Sequence, residues 1–275
     1  MGKTKSLSDE YPASGHPALR HPLAFAFVVT FVFILMVLIS SIAVNSAWPG
    51  DTPGWYVGST IGRILSILIL LIVLARLGWL GPAGLTRTGR TSTWLVLFLP
   101  LSYAIIVSAY AMTGNLNFSF TDPALAGLAT IFLMAHAFLE EVAFRGLIFY
   151  GFIRSWGDTS RGRIQSVLVS SLFFGGMHII YLAGEPLSVV LLRIVVAFLL
   201  GILFGALVLI GDSIYPAAFF HGALNLTAYL NLTVNEIEGL PSSWLALSLL
   251  MLPLALFGFY LLRNVPYRSV VPDAV

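Results

Sequence analysis

Eight apolar runs, most of them close to the roughly twenty residues an α-helix needs to cross a bilayer, account for most of this 275-residue chain. They fall at 23–44, 60–80, 93–112, 123–152, 164–182, 187–209, 213–230 and 244–262. None of the runs shows the alternation of a soluble domain. The expected fold is therefore all-α: a polytopic membrane bundle of about eight transmembrane helices. Charged residues make up 9% of the chain, against about 25% in an ordinary soluble domain, which excludes a globular enzyme. There is no cysteine, and this excludes disulfides, a thiolate nucleophile and a cysteine metal site. The polar segment from Met1 to His21 lacks a signal-peptide pattern. The first apolar run is too long for a cleaved h-region and reads as a retained span.

Loop charges give the orientation. Lys3, Lys5 and Arg20 precede the first run; Arg87 and Arg90 lie in loop 81–92; Arg154, Arg161 and Arg163 in loop 153–163; Arg263 and Arg268 in the C-terminal tail. The loops between them carry Asp51, Asp122, Glu185, or Glu236 with Glu238, and no Lys or Arg. Asp212 alone occupies loop 210–212. By the positive-inside rule both termini face the cytoplasm. The net charge of +2 is thus an orientation signal, and no nucleic-acid partner is expected. Arg63 and Arg193 lie near outer helix ends, where they either snorkel or face the bundle interior.

Against this apolar background stands Glu140-Glu141-Val142-Ala143-Phe144-Arg145, inside the fourth run. Each such charge costs about 2.5–3.5 kcal/mol at a helix centre, and intramembrane ionisable groups mark functional sites by default. Arg145 is one turn after Glu141, on the same helix face, so the two can pair. Glu140 points about 100° away, free to face a cavity and act as general base. His136 lies one turn before it, either as a further ligand or base or as a hydrogen-bond partner that orients Glu140. Phe174 and His178 are one turn apart, with Gly175 and Gly176 between them, where another helix or a substrate backbone can approach. His221 and Asn225 repeat the one-turn spacing, and an Asn amide can donate to an oxyanion. At about 1.5 Å per residue, Glu140, His178 and His221 lie roughly 21, 22 and 14 Å from their cytoplasmic anchors, so they can meet at one level. This inventory can activate water for amide hydrolysis. It can also bind a divalent metal such as zinc through Glu140, His178 and His221, with a position left for water. The spacing does not choose between these routes.

Glu140-Glu141-x-x-x-Arg145, Phe174-x-x-x-His178 and His221-x-x-x-Asn225, in that order on successive membrane helices, resemble the CAAX-protease and bacteriocin-processing (CPBP, or Abi) family of intramembrane proteases. That family includes the type II CAAX prenyl endopeptidase. The resemblance implies a bundle of about eight spans with a cavity open to the cytoplasmic side. It implies that Glu140 and His178 activate the water, that His221 and Asn225 stabilise the oxyanion, and that Glu141 and Arg145 support Glu140. The family is usually called metalloprotease. The implied partners are the lipid bilayer and a peptide or protein tail at the cytoplasmic face, CAAX-type or bacteriocin-like, and the implied location is the cell membrane. The chain divides into a tail (1–22), helices 1–3 (23–122), the motif-bearing core (123–230) and a last helix with its tail (231–275). Two other classes stand beside the protease: a non-catalytic immunity or scaffold protein of the same fold, and a transporter. Against the transporter, the sequence has no inverted repeat and no matched broken helices.

Overall fold

The computed structural model describes the backbone of residues 20–112, 122–235 and 240–264, and the side chains of 20–106, 122–227 and 251–264. Lys3, Lys5, Glu236, Glu238 and Arg268 lie outside the described residues. No strand occurs among the described residues. The chain forms α1 (Pro22–Ala47), α2 (Thr52–Arg76), α3 (Thr91–Met112) and α4 (Pro123–Glu141). A π-helical segment, Val142–Phe149, joins α4 to α5 (Tyr150–Trp156). Then come α6 (Ser160–Gly176), a 3₁₀ segment (Met177–Ala183), α7 (Leu187–Gly211), α8 (Tyr215–Asn235) and α9 (Leu240–Asn264).

Each of the eight apolar runs falls on one of these helical rods, apart from the end of the second run (77–80) and the start of the seventh (213–214). Among the described residues, five rods are long and apolar enough to cross a membrane: Pro22–Ala47, Thr52–Arg76, Pro123–Trp156, Ser160–Ala183 and Leu187–Gly211. Many large apolar side chains point outward, Phe27, Phe31 and Ile39 of α1 among them. A lipid solvent makes this the expected surface for a multi-pass membrane protein.

Local chemistry sets the helix ends. Asp122 caps α4 by accepting from the amides of Ala124 (2.9 Å) and Leu125 (3.2 Å). Helix α2 stops at Arg76 rather than near residue 80. Gly78 takes a left-handed φ of 70°, and the Trp79 amide donates back to the Leu74 carbonyl at 2.8 Å, as in a Schellman ending. The segment that follows folds onto the α7–α8 turn. Arg90 pairs with Asp212, Ser213 Oγ donates to the Arg87 carbonyl (2.7 Å) and Tyr215 Oη donates to the Leu85 carbonyl (2.8 Å). Gly84 (φ 83°) is required there, because a Cβ would lie 2.7 Å from Ser213 Cα. Asp212, uninformative as sequence, thus sits on the same face as the Arg87–Arg90 loop.

Helix α7 is the most enclosed rod, every residue from Gly201 to Gly211 being buried. It packs against α6 and α9, while α4 packs against α2 and α8. Small residues set the α6–α7 distance: a Cβ on Gly201 would meet Ser171 at 2.9 Å, and one on Gly175 would meet the Ile194 carbonyl oxygen at 2.7 Å. Gly176 has open space instead. Of the glycine pair, only Gly175 serves helix approach.

Candidate active site

Helix α4 carries His136, Glu140 and Glu141 inward; the π segment carries Arg145; α6 and its 3₁₀ continuation carry Phe174 and His178; α8 carries His221 and Asn225. Single-turn π distortions within α-helices occur often at functional sites. Here the π segment starts at Val142, directly after the two carboxylates, and all eight of its residues are buried.

Glu141 is fully buried and its Oε1 takes two contacts: Arg145 Nη1 donates at 3.0 Å and His221 Nδ1 lies at 2.9 Å. Its Oε2 has no hydrogen-bond partner among the described residues. The Arg145 guanidinium lies between two rings, 4.3 Å from the centre of Phe174 and 5.0 Å from that of Phe204. It also donates to the Gly201 carbonyl at 3.4 Å. The aromatic faces stabilise the cation where water is excluded. The expected i,i+4 pair is therefore present, on a bed that the spacing did not reveal.

Glu140 is 3% exposed and held from both sides. His136 Nε2 lies 3.2 Å from Oε1, and His221 Nε2 lies 3.3 Å from Oε2. A buried carboxylate without partners is costly, and two imidazoles from different helices reach it. His136 is thus a hydrogen-bond partner of Glu140. His221 bridges both carboxylates, one from each ring nitrogen, and stacks on Phe204 at 5.0 Å and 25°.

His178 and His221 meet the same ring. Phe174 lies edge-on to each, at 5.6 Å in both cases. His178 Nδ1 donates to the Phe174 carbonyl at 3.0 Å, which leaves Nε2 as the lone-pair nitrogen. His178 is half-buried, and so is Asn225, one turn beyond His221 on α8. Glu140, Glu141, Arg145 and His221 therefore form one bonded set, with His178 joined through Phe174.

Sequence reasoning missed the contribution of α2. Arg63 faces the interior, donating from Nε to His136 Nδ1 at 3.1 Å. A lone guanidinium in a spanning helix was the available signal. Arg193 pairs with Glu185 at 2.7 Å and lies 4.4 Å from the Tyr181 ring. With Arg63 and Arg145, two guanidiniums balance two carboxylates, which lowers the cost of burying the set.

Among the described residues, no group of three His, Asp or Glu side chains is arranged to hold a metal ion. Both nitrogens of His221 already face carboxylate oxygens, so the set Glu140, His178 and His221 does not fit a metal as it stands.

No curated protein and no solved structure matches the chain significantly. Residues 122–227 match the family model described as Type II CAAX prenyl endopeptidase Rce1-like, a family of proteases. That segment contains all three motifs, so the family that the motifs resemble is the family whose model the chain matches.

Proposed function

We propose that this chain is an intramembrane endopeptidase that hydrolyses a peptide bond in a tail presented at the cytoplasmic face of the membrane, with a CAAX-type prenylated tail as the first substrate class. The observation that carries the reading is the buried Glu140, positioned by two histidines inside the segment that matches a protease family.

Glu140 is the base. It takes a proton from a water whose second hydrogen is accepted by His178 Nε2. The water oxygen adds to the scissile carbonyl carbon. On this reading His221 and Asn225, one turn apart on α8, donate to the resulting oxyanion. The 3.3 Å contact between His221 Nε2 and Glu140 Oε2 is longer than an ideal hydrogen bond, and it is the one an incoming oxygen displaces. The proton held on Glu140 then passes to the amide nitrogen as the C–N bond breaks, giving a carboxylic acid and an amine. Glu141 and Arg145 keep His221 and the helix in register. No step runs through a metal.

The test compares peptide termini in membranes that carry the native chain or Glu140→Gln at equal abundance. Termini that appear only with the native chain are expected, with their rate of formation falling at least about 100-fold in the variant, the low end for loss of a general base. Identical termini in both, with the chain's biological effect intact, would favour a non-catalytic immunity or scaffold role.

A further inference from the structure

Arg63 lies in α2, outside the family-matched segment 122–227, yet it is 4% exposed and reaches the site. Its Nε donates to His136 Nδ1 at 3.1 Å, and Nη1 donates to Ser40 Oγ of α1 at 3.3 Å. A guanidinium has only donors and keeps its proton in proteins. Nδ1 of His136 must therefore present its lone pair, and the ring proton sits on Nε2. That nitrogen stands 3.2 Å from Glu140 Oε1.

From this geometry we propose that Arg63 is a positioning residue for the reaction: it fixes the tautomer of His136, so that Nε2–H is donated to one oxygen of Glu140 and the other is aimed at His221 and the substrate. The proposal rests on the reading of Glu140 as the base. The packing holds the guanidinium in place. Phe132 stacks on His136 (5.8 Å, 12°) and lies 5.6 Å from the Arg63 guanidinium. Gly62 lets α2 approach α1, since a Cβ there would lie 2.0 Å from Ser40 Oγ. An arginine that merely tied α2 to α4 would leave the tautomer and the turnover rate indifferent to its removal.

Selective ¹⁵N labelling of histidine in the full chain, in lipid nanodiscs, reads the tautomer without a substrate. His136→Gln deletes one set of ring resonances and so assigns them. The native protein is expected to show His136 protonated on Nε2 alone. Arg63→Met is expected to show a mixture of tautomers, and Arg63→Lys, which keeps a donor, to restore the single form. A mixture in the native protein, or a single unchanged form in Arg63→Met, overturns the proposal.

Turnover supplies the second readout, on the peptide whose termini depend on Glu140. Arg63→Met and His136→Phe should each lower kcat about 10- to 100-fold, the worth of one charge-assisted hydrogen bond, with KM within about twofold. His136→Gln, whose amide can donate to Glu140 and accept from Arg63, should recover most of the rate. Arg63→Met should add no further loss in the His136→Phe background. If Glu140→Gln abolishes cleavage while Arg63→Met leaves kcat unchanged, the positioning role fails alone. If Glu140→Gln is fully active, the reading of the site fails with it. Melting midpoints check that each variant folds, and Arg63→Leu, which also lacks a donor, carries the comparison if Arg63→Met does not fold.

Discussion

At Arg145 a full charge sits 2% exposed between two phenylalanine rings, and its carboxylate partner Glu141 is wholly buried. Removing one partner strands the other charge, which typically costs about 3–5 kcal/mol. Arg145→Met is therefore expected to destabilise the protein by that amount, as read from unfolding in detergent. Adding Glu141→Leu to it should recover much of the loss, because no carboxylate is then left with His221 as its sole partner. At this scale the sequence was informative where the spacing was local. The Glu141–Arg145 and His136–Glu140 contacts follow from one-turn separations on a single helix. The second contact of Glu140, to His221, joins residues far apart in sequence, which helical spacing cannot pair. Arg63 was visible as an anomaly but had no assignable partner, because nothing in a linear sequence says which helix faces α2.

Two neighbouring glycines separate packing from exposure among the elements. At Gly175 an added Cβ would lie 2.7 Å from the Ile194 carbonyl oxygen, a backbone atom that cannot swing aside; at Gly176 it would meet open space. Gly175→Ala should force α6 away from α7 and cost about 1–3 kcal/mol. Gly176→Ala should be tolerated, and melting midpoints of the two variants side by side check the contrast. The helices themselves were legible from the length and apolarity of the runs. The changes of winding were not. The π segment at Val142–Phe149 and the 3₁₀ segment at Met177–Ala183 are shifts in hydrogen-bond register, and register depends on what the neighbouring helices press against.

For the whole molecule, the ion pair between Arg90 and Asp212 and the contacts of loop 77–90 with the α7–α8 turn bring two loops together on one face. On positive-inside counting that face is expected to be cytoplasmic. Tags fused at either end of the chain are accordingly expected to be reached by antibody only after the membrane is permeabilised; labelling of intact cells at either end would reverse the orientation or change the number of crossings. The bonded set also has a history. If the helices enter the bilayer in chain order, Arg63 arrives first, Glu140, Glu141 and Arg145 arrive together, and His221 arrives last. Glu141 carries its countercharge within its own helix from the moment of entry, and Glu140 has His136 one turn away. In that order neither carboxylate would meet lipid without a partner on its own helix, and the carboxylate pair would stay unbridged until His221 arrives and the bundle closes around it.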